Sequence, residues 1–196
     1  MALAPEPPRM VDGAAKVVYS IDTNSLMDWQ ARHYPVDVFA GLVARFDSLV
    51  LAGRLFAAQL VHEEVEAVGT AGLIAWAKTN KNIFVPTKLT FADALAIQNQ
   101  FTGLRDPKAE FEEADAYVIA LAQQRSGIVV TQETPAAEKQ RPRRTHFIPD
   151  VCRELGIPCI SLLGMMRREC WRTRRSARRA ARRSKVPTAS AAPRRT

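Results

Sequence analysis

The chain has 196 residues, 47% of them hydrophobic; that suits a single domain with a full apolar core, so disulfide staples are not needed. Its three cysteines, Cys152, Cys159 and Cys170, form no CxxC pair, which argues against a disulfide framework or a zinc site and for reduced thiols in a cytoplasmic protein. The formal net charge of +8 is unevenly spread: residues 167–196 hold 12 Lys and Arg against the single acid Glu169, a net of +11, and residues 1–166 carry a net of −3, so a mildly acidic domain is expected to bear a basic tail.

Residues 1–15 read as a disordered leader, broken by three prolines and lacking the apolar core of a secretory signal, with Met10 as a second candidate start. No run of 18 apolar residues occurs, so no membrane-spanning helix is expected. "KVVYSID" (16–22) is apolar on both faces and reads as a central strand of a parallel sheet. Ser25 is expected to cap a short helix toward His33. The spacing of Val38, Phe39, Leu42, Val43 and Phe46 predicts a helix over 34–53, with Pro35 near its start. A short strand (54–58), a helix (59–69), a second helix (73–80) and a strand (82–87) follow. Thr90 with Asp93 three residues on suggests a near capping box for a helix over 90–101. A strong amphipathic pattern spans 109–127 and stops at Gly127. "GIVVTQE" (127–133) repeats the opening pattern, and "TPAAEKQRPRR" (134–144) reads as a polar loop. A short helix (148–156), a last strand (157–162) and a final helix from 163 complete the domain. Alternation of strand and helix predicts an α/β fold, a three-layer α/β/α sandwich around a mostly parallel sheet. The expected organisation is a leader (1–15), one domain (16–168) and a basic, disordered tail (169–196).

In an open α/β sheet, ligands lie beyond the carboxyl ends of the strands. Asp22 ends the first strand, and Glu133 follows the fourth after Thr131. Glu63 and Glu64 lie early in the helix after the second strand, and Asp115 precedes the apolar stretch of the amphipathic helix. Carboxylates gathered in one place raise one another's pKa and call for a cation; hard oxygen donors suit Mg²⁺ or Mn²⁺, not zinc. Taken singly, each acid also reads as a helix cap. His33, His62 and His146 read as surface or packing residues, and no GxSxG, P-loop or GxGxxG is present.

Four short motifs, in order, resemble those of the PIN-domain nucleases: "YSIDTNSLMD", "LVHEEVEAV", "EEADAYVIALAQ" and "GIVVTQET". The likeness covers about residues 16–166 and is nearest to a bacterial PIN-like branch of unassigned function, which shares a segment like "IPDVCRELGIPCISL". The resemblance implies a Mg²⁺- or Mn²⁺-dependent endoribonuclease, as the toxin of a toxin–antitoxin pair. It places Asp22, Glu64, Asp115 and Glu133 as metal and catalytic carboxylates, with Glu63 competing with Glu64. Asn24 and Thr131 match positions that orient the ligands. Glu133 departs from the usual aspartate by one methylene. RNA, an antitoxin and a second copy of the chain are the implied partners, and the tail adds a surface for nucleic acid. Two alternatives stand beside this reading. One is a catalytically weak PIN-like domain that binds RNA or protein. The other is an acid-cluster phosphatase, which Asn24 disfavours because that chemistry calls for a second aspartate two residues after the first.

Overall fold

The computed structural model describes residues 16–106, 108 and 112–171; the expected leader and the tail from 172 onward lie outside them. Five short strands are described: β1 (Tyr19–Ile21), β2 (Leu55–Ala58), β3 (Phe84–Val85), β4 (Ile128–Val130) and β5 (Cys159–Ile160). They form one sheet in the order β3-β2-β1-β4-β5, and every neighbouring pair is parallel. β1 is central, with Tyr19 opposite both Leu55 and Ile128 and Ile21 opposite Val130. All three of its residues are buried, as a strand covered on both faces requires.

The helices are α1 (Thr23–Met27), α2 (Gly41–Leu51), α3 (Gln59–Val68), α4 (Ala71–Thr79), α5 (Phe91–Gln100), α6 (Asp115–Gln124), α7 (Ile148–Leu155) and α8 (Leu162–Arg168). From β1 the chain moves outward through β2 to β3, then returns to place β4 on the other side of β1. Right-handed crossovers put helices on one face for the outward half and on the other face for the return half. The contacts agree: α2 and α3 pack on β2, while α6 crosses β1, β2 and β4 and packs against α5 and α7. The three-layer α/β/α architecture expected from the sequence is the one observed. Among the described residues no helix is long and apolar enough to cross a membrane.

Several local expectations are corrected. Helix α2 starts at Gly41, not at 34; Val38 and Phe39 close a single turn on the Pro35 carbonyl, and Val38 is exposed. Ser25 does not cap α1, which begins at Thr23; its hydroxyl donates to the Val130 carbonyl instead (3.2 Å). Helix α1 then widens into a π-helical turn at Asp28–Arg32. Thr90 makes no capping bond to α5, and Asp93 accepts from Gln124 of α6 (2.6 Å). Helix α6 begins at Asp115 rather than at 109.

The fold also runs past the expected boundary at 168. Glu169 accepts from Arg54 (2.8 and 2.6 Å) and from the Tyr19 hydroxyl (2.6 Å). Trp171 meets Phe46 edge-on, with ring centroids 5.4 Å apart. Phe46 is fully buried, stacked on Trp29 at 3.9 Å and edge-on to Trp76, so it joins the π-helical turn after α1, helices α2 and α4, and the residues that follow α8. Truncating it leaves a cavity that none of these partners fills. Phe46→Ala is expected to cost about 3–5 kcal/mol in urea unfolding, with an unchanged slope.

Candidate active site

The return from β3 to β4 makes a topological switch point between β1 and β4, and the crevice there opens at the carboxyl ends of both strands. Asp22 follows β1 directly, and its amide donates to the Val130 carbonyl (2.9 Å). Its side chain is buried, and Oδ2 accepts from the Thr131 hydroxyl (2.9 Å). The Thr131 oxygen in turn accepts from the Glu133 amide (3.1 Å). One hydroxyl thus ties the end of β1 to the segment after β4.

Glu64 projects from α3 into the same region, and Glu63 is exposed. The Glu64 carboxylate accepts from the Thr23 hydroxyl through Oε2 and from the Ala114 amide through Oε1 (3.3 Å). It therefore links the residue after Asp22 to the residue before Asp115. Asp115 opens α6, where the amide dipoles favour a negative charge. Glu133 accepts from the Ile148 amide at the start of α7 through Oε2 (3.1 Å). Glu133 and Glu64 lie near enough to act on the charge of Asp22, and Glu133 and Asp22 on that of Asp115. Asn24 does not join them: its side chain is exposed, and Thr23 holds Glu64 in its place. The histidines stay apart, with Asp28, Glu66 and Glu154 as their carboxylate neighbours.

A fifth residue, Arg144, completes the centre. Its Nη1 donates to Asp115 Oδ2 (2.6 Å) and its Nη2 to Glu133 Oε1 (3.0 Å). Glu113 lies 3.5 Å away, and the Leu104 carbonyl accepts from Nη1 (2.7 Å). The guanidinium sits over the Phe147 ring, 4.7 Å from its centroid, and its side chain is only 11% exposed. The loop bearing it lies against the turn at Thr102–Leu104. A Cβ on Gly103 would come within 1.8 Å of the Thr145 hydroxyl, so a larger residue there would force Thr145 to turn aside. Arg144 was missed because the run "RPRR" offers several equivalent arginines, and nothing local says which one turns inward.

Two depressions flank the centre. One, about 260 Å³, is lined by Leu104, Arg105, Glu113 and Asp115; the other, about 390 Å³, by Thr131, Gln132, Glu133 and Ser161. Arg144 reaches from an acid of one to an acid of the other. Gln132, also missed, donates to the buried Asp28 (2.9 Å) and accepts from the Leu162 amide (3.0 Å). It fastens the π-helical turn and α8 to the end of β4.

A family model described as a domain of unknown function (DUF4411) matches residues 19–173. The chain belongs to the DUF4411 family. No curated protein matches it. Among solved structures it is similar to a chain of FitAcB from Neisseria gonorrhoeae, at 16% identity and a TM-score of 0.42, over 74% of this chain and 99% of that one.

The electrostatics of this DUF4411 site follow from burial. Asp22 is pushed up to about 7, first by burial and then by Glu133, with Glu64 adding to the effect against the Thr131 hydrogen bond. Asp115 is held well above the ordinary carboxylate range by burial, Glu133 and Asp22, with Arg144 opposing. Burial works to lower Arg144, but Asp115, Glu133 and Glu113 outweigh it and keep the guanidinium charged. Asp22, Asp115 and Glu133 are thus mutual neighbours, and the site is short of positive charge. All-oxygen donors fit a hard divalent cation. Among the described residues, however, no three His, Cys, Asp or Glu side chains stand ready to hold a metal ion. Both oxygens of Glu64 and both of Glu133 accept hydrogen bonds where they stand.

A carboxyl group whose folded pKa lies above its unfolded value takes up protons on folding. Stability is therefore full below the unfolded value and is lost as pH rises through the folded one. In EDTA, stability is expected to fall between about pH 4 and pH 7. Asp22→Asn should flatten that fall and raise stability at pH 7.5 by roughly 1–3 kcal/mol, measured by urea unfolding across pH. An aspartate that costs nothing to ionise would leave both proteins with the same profile.

Proposed function

We propose that this DUF4411 chain is a divalent-cation-dependent endoribonuclease of PIN-like type, acting in the cytoplasm as the toxin of a toxin–antitoxin pair. The observation that carries the reading is the meeting of Asp22, Asp115 and Glu133 at the switch point, in the order of the motifs that resemble the PIN nucleases. Asp22, Asp115 and Glu133 would hold Mg²⁺ or Mn²⁺. Glu64 acts one step back, keeping the starts of α1 and α6 in register through Thr23 and Ala114. Thr131 holds Asp22 in one rotamer. A bound ion would supply an activated water and positive charge toward the phosphodiester oxygens. The depressions on either side offer places for the chain 5′ and 3′ of the scissile bond, and exposed Arg105, Arg141 and Arg143 provide cations for its phosphates.

The bridge from Arg144 to Asp115 and Glu133 favours a second reading, a binding module whose acid centre is already neutralised in part. The two readings part on activity. With Mn²⁺, the wild type is expected to cleave single-stranded RNA, EDTA to abolish cleavage, and Asp22→Asn and Asp115→Asn each to lower it by at least about 100-fold. Cleavage that survives in both variants removes the nuclease reading; RNA binding without cleavage, at any cation tested, selects the module. Growth arrest on expression, relieved by Asp22→Asn, is the outcome expected of a toxin.

A further inference from the structure

The acid centre already contains a cation of its own. We propose that Arg144 is a resident counter-ion that takes the place of the divalent cation between Asp115 and Glu133, so that the ion enters only as the guanidinium withdraws. This rests on the metal reading above and goes beyond it, because it assigns a position-holding role to a residue outside the four acids.

Three observations carry it. The first is geometric: Arg144 spans Asp115 Oδ2 and Glu133 Oε1, two of the three carboxylates that repel one another across the site. The second is the donor count. As the side chains lie, no three-donor group exists among the described residues, so an ion can enter only if they move. Withdrawal of Arg144 frees one oxygen of Glu133 and one of Asp115 from their bonds to it. The third is support from outside the acids. Leu104, Phe147 and Glu113 hold the guanidinium without any contribution from Asp115 or Glu133. Arg144 can therefore release those two carboxylates while keeping a carbonyl, an aromatic face and an acid as partners. A guanidinium suits this post better than an ammonium, because its planar fork reaches two carboxylates at once.

The linkage is reciprocal. If the bridged arrangement outweighs the open one by about ten to one, the apparent affinity for a divalent ion drops by about tenfold. Mn²⁺ binding is to be measured by titration calorimetry on the full chain, with unfolding temperature in EDTA as a second readout. Arg144→Gln is expected to bind Mn²⁺ about tenfold more tightly than wild type while melting at a lower temperature in EDTA. Arg143→Gln removes the same charge from an exposed neighbour and should leave Mn²⁺ affinity unchanged. Arg144→Lys keeps the charge but loses the fork, and should fall between the wild type and Arg144→Gln; it carries the test alone if the glutamine variant does not fold. A purely structural arginine would lower stability without raising ion affinity, and that result overturns the proposal. Equal tightening in Arg143→Gln overturns it too, by assigning the effect to net charge. Tight Mn²⁺ binding that none of the variants alters removes the role of Arg144 and leaves the metal reading intact. No Mn²⁺ binding by any of the proteins removes both.

Discussion

Like charges forced together away from water are the constraint around which this fold is arranged. Asp22, Asp115 and Glu133 arrive from three different elements, and burial with mutual repulsion raises the first two well out of their ordinary range. Such a group persists only with positive charge beside it or with protons bound. Arg144 supplies part of that charge, and its own burial is tolerable only because the acids are there. Neither side of the pairing is stable without the other.

The scaffold spends its most specific contacts on holding these groups still. Central β1 pairs with β4 on one side and β2 on the other, and the Asp22 amide extends the β4 ladder by donating to the Val130 carbonyl. The Thr131 hydroxyl then joins Asp22 to the Glu133 backbone. Glu64 stitches α1 to α6, and Gln132 ties Asp28 to α8. Buried Asp150 accepts from the Ala136 and Phe147 amides (2.8 and 3.1 Å), which shapes the loop that returns Arg144 to the site. Most of these polar groups are satisfied by a partner distant in the chain, and all have one, as buried polar atoms require. The arrangement trades stability for a charge-hungry pocket, a trade commonly found where a site must bind or react.

The parts differ in how they were read. The strand at 16–22 announced itself because a doubly covered parallel strand is apolar without alternation, and its abrupt end at Asp22 marked the crevice. Helix α6 was equally plain in its apolar stretch, yet its start was not: residues 112–114 belong to no helix, and Ala114 gives its amide to Glu64 instead. The caps expected of Ser25 and Thr90 failed for a related reason. Both hydroxyls found partners other than their own helix start, Val130 across the sheet and Thr87 in the preceding turn.

Local pattern was enough to establish the alternation of strand and helix and the parallel sheet, and to single out Asp22, Glu64, Asp115 and Glu133 as candidates. Periodicity and strand ends are properties of short stretches, so they survive in a one-dimensional reading. The exposure of Glu63 and Asn24, the attachment of Glu169 and Trp171, and above all the entry of Arg144 were decided by the tertiary structure alone. Those outcomes depend on which side chain faces the crevice, and that is set by helix rotation and by contacts between residues far apart in sequence, which no local pattern encodes.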